Sequence, residues 1–494
     1  MKNSCYSKKG GKHMDNNKVQ KNRENWKKKR RMRLIKSLIV IAVLILAGAG
    51  VLAGLAINRE NRRKAAEKAA LREAIEEEEA KLAARRALIE KADYLALGYD
   101  YDGAINLLMQ EENYENDSEL AHAISGYVVS RSQLVAKDVT EVPHIFFHSL
   151  IVDKKRAFDE SKWGSSTVAG NNAWMTTVDE FDKIISQMYE NGWVLVRMRD
   201  LVTVNEDGTF SKNTNLLLPE GKKPYVLSVD DWSYYHSYEG QGYAEKAVLD
   251  SDGNVKCRYV DANGVVNIGD YDVVPRLNTF LEAHPDAAYK GARGMIAMTG
   301  YNGVFGYRTD AAYRTGENLD ADQRAWLEAH PDFNWDEEVK EAQKIAEAVK
   351  ASGWEFACHT WGHLSVTNAS VETLMADHEK WKNTVANITG PTDTIIFAHG
   401  NDIGSFRDYT EENEKYAYYK GEGYRFYANV DASTPHWLQI RQNYLRQGRI
   451  DCDGLQMWRS LSGQAKTNVF EGLFDVKSVF DETRPTPVTA SGKA

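Results

Sequence analysis

The sequence predicts an α/β domain built on a parallel sheet, preceded by a transmembrane helix and a helical stalk. Three observations predict it. From Pro143 onward, short apolar runs alternate with segments of helical character, the pattern of βαβ units. Residues 37–57 hold no charge and are apolar throughout, and about 20 such residues cross a bilayer core as a helix. Residues 58–92 contain neither Gly nor Pro and consist mostly of Ala, Glu, Lys and Arg, the strong helix formers.

In chain order the first element is a basic head. Residues 1–36 carry fourteen Lys or Arg against Asp15 and Glu24, a net of +12 on a chain whose total is −9. Lys27, Lys28, Lys29, Arg30, Arg31, Arg33 and Lys36 crowd the start of the apolar run. Basic residues stay on the cytoplasmic side, so residues 1–36 are read as a cytoplasmic tail and residues 37–57 as a single membrane span. A cleaved signal peptide ending near Ala47-Gly48-Ala49 is the alternative, and the long basic region and full-length apolar core argue against it. The basic head needs no nucleic acid to explain it, and the acidic remainder would repel phosphate.

Residues 58–92 form the stalk. Leu71, Ile75, Leu82 and Ile89 recur at helical spacing, which suits either a solvated single helix or self-association through a short seam. Residues 93–140 read as a spacer of two short helices. Residues 141–494 form the folded domain on the far side of the membrane.

Within that domain, strands are expected at 144–147, 193–196, 225–229, 295–298, 354–358, 394–398 and 425–430. Helices are expected at 177–190, 273–284, 336–351, 370–388 and 410–421. Six or seven such units make either a closed barrel or an open doubly wound sheet, and both place their sites at the C-terminal ends of strands. Polar residues gather there. Asp230 and Asp231 follow one strand, His359-Thr360-Trp361-Gly362-His363 another, His399-Gly400-Asn401-Asp402 a third, and His148 closes the first. Four of twelve histidines at strand ends are a concentration that chance spacing does not explain. Separately each motif has an ordinary reading: a solvated turn for the Asp pair, a structural histidine for His148 or His399. The His-x3-His spacing could set two rings on one helical face. Together they point to a two-histidine, one-carboxylate site for zinc or a similar divalent ion, with open positions.

From about Pro143 to Leu461 the chain resembles the polysaccharide deacetylases with the NodB-homology domain, carbohydrate esterase family 4. Leu227-Ser228-Val229-Asp230-Asp231 stands where that family has a strand ending in T-F-D-D, and His359-Thr360-Trp361-Gly362-His363 matches its H-[ST]-x-x-H. Pro143-His144-Ile145-Phe146-Phe147-His148-Ser149 is similar to its first strand. The resemblance implies a distorted (β/α)7-type barrel that removes acetyl groups from an acetylated polysaccharide. It also implies a divalent metal, most simply zinc with cobalt or nickel as alternatives, held by Asp231, His359 and His363. Asp230 would be the general base.

Two motifs depart from the family. Its R-x-P-[YF]-G falls on Ile396-Phe397-Ala398-His399-Gly400, so the arginine that orients the base is absent there. Arg441 and Arg449 are the candidate replacements. The late L-x-H that supplies the general acid has no clear match, and His399 and His436 are the nearest substitutes. A glycan-binding module with weakened catalysis is the alternative function. A zinc peptidase would place a Glu beside the first histidine of the pair, where Thr360 stands.

Two polar insertions, 232–272 and 299–334, carry Tyr234, Tyr235, Tyr238, Tyr243, Tyr301, Tyr313 and Trp326. Such rings suit stacking on sugars or a small local core. Asp252-Gly253 and Asn263-Gly264 predict hairpin turns. No Walker loop or G-x-G-x-x-G is found, so no nucleotide is indicated. Cys257 and Cys452 would both lie outside the cell, but nothing in their spacing supports a disulfide between them.

Overall fold

The structure, a computed structural model, describes residues 16–490 except 432, with side chains from residue 20 onward. Cys5 and the first fifteen residues of the basic tail lie outside it. The chain divides into two units, one ending at Ala87 and the other running from Leu88. Helix α1 covers Asn16–Leu97.

In the first unit, the apolar side chains of residues 37–57, such as Leu44, Leu46 and Leu52, are all exposed. The helix is long and apolar enough there to cross a bilayer. Beyond it lies the helical stalk, its surface laced by i,i+4 pairs such as Lys64–Glu60 and Lys81–Glu77. Such exposed pairs contribute little each.

The second unit opens on α2 (Tyr101–Met109) and α3 (Ser118–Ser132), capped by the carboxylates of Asp100 and Asp117. Ala92, Ala104, Leu108 and Leu120 bury a small core of their own between these helices. The main body follows. Seven strands, β1 (His144–Phe147), β2 (Lys223–Asp230), β3 (Met295–Met298), β4 (Glu355–Cys358), β5 (Thr394–Ile396), β6 (Phe426–Val430) and β7 (Leu445–Asp451), pair in parallel in chain order. β7 pairs back onto β1, Ile450 opposite Ile145, so the sheet closes into a barrel. The helices between the strands include α4 (Val178–Glu190), α5 (Val273–Ala283), α6 (Trp335–Ala351), α7 (Val371–Trp381) and α8 (Glu414–Gly421). After β7 comes α9 (Gly454–Leu461).

Alternation along each strand sorts the residues. Ile145, Phe147, Leu227, Val229, Ile296 and Ile450 pack outward with α4, α5 and α6 into the main core. Val226, Ala297, Ala357, Ala428 and Leu445 form a second, inner cluster. Local signals agree: Thr177 and Glu180 make a reciprocal capping box for α4, and Ser370 caps α7.

Two expectations fail. The run at 193–196 is not a barrel strand. Trp193–Leu195 pairs beside Lys223–Tyr225, while Ser228–Asp230 pair with β3. Eight residues make β2 long enough to carry one neighbour on each half. The seventh barrel strand is β7, with the sequence Leu-Arg-Gln-Gly-Arg-Ile-Asp. Beyond Leu445 its inward positions are polar or charged, with Gln447 donating to the Val142 carbonyl and Arg449 paired with Asp230, so an apolar-run criterion passes over it. Between β6 and β7 the chain returns through Trp437–Ile440, antiparallel to β7, instead of a helix.

Both predicted turns form. Gly253 and Gly264 take positive φ of 84° and 78° between the antiparallel strands Lys246–Leu249, Val255–Val260 and Val266–Gly269. The insertion rings prove to be a local core. Tyr234, Tyr235, Tyr243, Phe305, Tyr307 and Tyr313 are buried.

Candidate active site

The site grows from the ends of β2 and β4. The last residue of β2, Asp230, points inward, and Asp231 leaves the strand at φ 55°. His359 follows β4 directly. His363 stands four residues later in a tight loop, not on a helical face as the spacing alone allowed, with φ of 61° at Thr360 and 51° at His363. The Asp377 carboxylate on α7 holds that loop, accepting from the N–H groups of Trp361 (2.7 Å) and Gly362 (2.8 Å). Among the described residues ten non-glycines have positive φ, and Asp231, Thr360, His363 and His399 are four of them. Such backbone strain persists where surrounding structure enforces it, commonly at functional sites.

Ligand atoms of Asp231, His359 and His363 all lie within 4.8 Å of one another. Asp231 Oδ2 and His363 Nε2 are 3.6 Å apart. Ligands at zinc–ligand distances of about 2.0–2.1 Å stand roughly 3.4 Å from each other in a tetrahedron, so a modest contraction fits an ion. The donor chemistry fits as well. His359 Nδ1 is 2.6 Å from the carbonyl of Ile396, which assigns its proton to Nδ1 and leaves Nε2 free to ligate. Asp231 Oδ1 accepts from the Tyr235 phenol at 2.6 Å. Burial would raise the Asp231 carboxyl, but His363 and His359 outweigh it and hold it below the ordinary range. Burial in turn lowers His359, against the pull of Asp230 and Asp231, keeping the ring neutral as a ligand must be.

Asp230 does not need the missing family arginine. Arg449 on β7 grips it with both Nη atoms, at 2.7 and 2.9 Å, and both side chains are buried. Burial favours the neutral acid, yet Arg449 and then His359 drive the carboxyl well below its ordinary value. Arg449 also donates to Ser228 Oγ and lies over the Phe146 ring. Below it, His144 Nε2 meets Ser228 Oγ at 2.9 Å. Burial, reinforced by Arg449, lowers His144 well below its usual value.

Arg441, the other candidate cation, pairs with Asp408 on the surface. His436 is exposed, and its charge acts on Asp138. No described hydrogen bond, ion pair or ring contact joins His436 to the cluster, because Trp437–Ile440 runs back along the outside of β7. His399 does join it: its ring lies 4.2 Å from that of His363, and its Nε2 donates to the His363 carbonyl. Gly400 beside it has φ 66°, and a Cβ there would sit 2.5 Å from Val430. Cys257, Cys358 and Cys452 are buried free thiols.

Residues 331–419, which span β4, His359, His363 and β5, match the family profile described as polysaccharide deacetylase. That match falls on the part of the barrel where the Asp–His–His cluster takes its two histidines. Among solved structures the chain is similar to a Streptococcus pyogenes deacetylase, PplD, in complex with acetate. Identity there is 12%, covering 66% of this chain and 98% of that one, with a TM-score of 0.33. It is also similar to BA0330, described as a Bacillus anthracis polysaccharide deacetylase, at 12% identity, 69% of each chain and a TM-score of 0.31. No curated protein matches it.

Sequence reasoning marked His148 only as a strand-end histidine, and it missed Asp451, Asp453 and Asp377 around this site. His148, at the end of β1, acts electrostatically on Asp230 and Asp231. Asp451 and Asp453 stand at the end of β7. Burial and then Asp453 push Asp451 well above the carboxylate range. The Asp-Cys-Asp alternation at a strand end was their only signal. Asp377 left none.

Proposed function

We propose that the chain is a divalent-metal-dependent deacetylase of an acetylated polysaccharide associated with the cell wall. In this reading residues 37–57 anchor it in the membrane, the N-terminus is cytoplasmic, and residues 141–494 act outside the cell. Leu71 and Ile75, exposed on the stalk, support self-association there. The observation that carries the function is one barrel rim where an Asp–His–His cluster adjoins a carboxylate kept ionised by an arginine.

A divalent ion held by Asp231, His359 and His363 would make a bound water acidic and polarise the acetyl carbonyl. Zinc suits the donors, and cobalt or nickel fit them too. Asp230 takes the proton of the attacking water. Its two hydrogen bonds from Arg449 fix the carboxylate plane for that transfer. A backbone N–H meets the oxygen that gains charge as the acetyl carbon becomes tetrahedral. His148 donates the proton to the departing amine or alcohol. It is favoured over His399 because burial and then the neighbouring His363 hold the His399 ring below its ordinary pKa. Arg449 supports this reading over a glycan-binding module, since binding alone has no use for an oriented base.

The test uses the full chain in detergent. Near-stoichiometric zinc or cobalt by elemental analysis is expected, lost in a His359→Ala/His363→Ala variant. Acetate release from acetylated glycans is expected to vanish in Asp230→Asn while metal stays bound. A folded parent that takes up no zinc or cobalt would sink the reading.

A further inference from the structure

The phenol of Tyr235 lies deep in the first insertion, 6% exposed, with its oxygen 2.6 Å from Asp231 Oδ1 and 2.7 Å from Thr299 Oγ1. Ser233 Oγ is 3.0 Å from the same Thr299 hydroxyl. A carboxylate only accepts and each hydroxyl has one proton, so Tyr235 gives its proton to Asp231 and Thr299 gives to Tyr235. Ser233 donates to Thr299, whose hydroxyl oxygen is 3.0 Å away and whose carbonyl oxygen is 3.5 Å away. Every proton in the relay points toward one carboxylate oxygen, and such chains strengthen one another. The other oxygen, Oδ2, is the one that faces His363 Nε2 at 3.6 Å.

The ring is held in turn. Tyr301, from the second insertion, stacks on it with centroids 5.0 Å apart, and Tyr238 meets it edge-on at 5.5 Å. The backbone beside it is forced, with φ of 55° at Asp231 and 49° at Tyr234. The two insertions thus converge on a single oxygen atom beside the cluster.

We propose that Tyr235 is a positioning residue that occupies Asp231 Oδ1, presents Oδ2 as the one carboxylate ligand atom, and thereby sets the affinity and geometry of the metal site. This rests on the metal-site reading above. Hydrogen-bond partners of metal ligands commonly change affinity by about 10–100-fold when removed.

The experiment is titration of the chelator-stripped full chain in detergent with zinc against a competing chelator, and with cobalt followed by its visible absorption. Tyr235→Phe, which keeps the ring and its stacking, is expected to raise the zinc Kd about 10–100-fold and to alter the cobalt spectrum, with thermal unfolding of the metal-free protein little changed. Thr299→Val is expected to shift affinity in the same direction by less, and it serves if Tyr235→Phe fails to fold. Tyr238→Phe, which keeps its ring contact, is expected to bind as the parent does. Parent-like zinc affinity and cobalt spectrum in folded Tyr235→Phe and Thr299→Val would overturn this inference and leave the metal site standing. No binding by the parent would overturn both.

Discussion

Asp230 and Asp451 are acids on inward positions of the barrel, on β2 and β7, the first buried and the second half-buried, and their surroundings push their pKa values in opposite directions. Asp230 faces Arg449 through two hydrogen bonds and is kept ionised against its own burial. Asp451 has burial and a second carboxyl, Asp453, as its strongest influences, with the charge of Arg449 only a minor counterweight. One of its oxygens, Oδ1, has no hydrogen-bond partner among the described residues. Two neighbouring carboxyl groups cannot both ionise cheaply, so Asp453 adds to burial in raising Asp451. The lesson is that the partner, not burial, decides the charge of a carboxyl here. Opposite shifts are made from the same side chain on neighbouring parts of one rim.

Removing the arginine breaks the comparison most forcefully. Arg449→Ala strands a buried carboxylate, and a loss of about 3–5 kcal/mol in unfolding free energy is expected, along with most activity. Denaturant unfolding of both proteins checks it. The next effect is the acid sensitivity that Asp230 confers. Its folded pKa is depressed, so its stabilisation is complete above the unfolded value of about 3.9 and is lost as pH falls below that. The parent should lose on the order of 2–3 kcal/mol more than Asp230→Asn on descending from pH 5 to pH 2.

Asp451 carries the opposite sign. Its folded pKa is raised, so its contribution is present below about pH 3.9 and is lost as pH climbs through the folded value. Asp451→Asn should flatten the stability profile above pH 4, by about 1.4 kcal/mol for each unit of the native shift. A profile parallel to the parent's would refute the raised pKa. The smallest effect belongs to Arg441, whose pair with Asp408 is exposed. Arg441→Ala should change stability by less than about 0.5 kcal/mol and leave the pH profile of activity untouched. Any larger loss of activity would return Arg441 to the list of cations that hold the base.

The difference between legible and hidden parts follows from residue chemistry. Short apolar runs between helices marked six of the seven barrel strands, because their outward faces build the main core. The Asp pair and the His-x3-His loop were visible because they follow such runs directly. β7 was hidden, since Arg446, Gln447 and Arg449 make it read as a polar loop. Arg446 and Arg449 are buried there only because Asp402 and Asp230 wait for them. In one dimension Arg441 looked as suitable as Arg449 for the cation, and His436 as suitable as His399 for the acid. The return strand Trp437–Ile440 leaves both exposed on the surface.

By itself, then, the sequence determined the alternation of strand and helix, the apolar span and the residues Asp230, Asp231, His359 and His363. Each is a local matter of periodicity, length or spacing. Closure of the sheet decided the rest. It set β7 beside β1, carried Arg449 across the barrel to Asp230, gathered His148, Asp451 and Asp453 at the same rim, and folded an insertion back so that Tyr235 meets Asp231. Those contacts join residues up to about 300 positions apart. Only the packed core, which leaves the chain one way to bury its strands, brings them together.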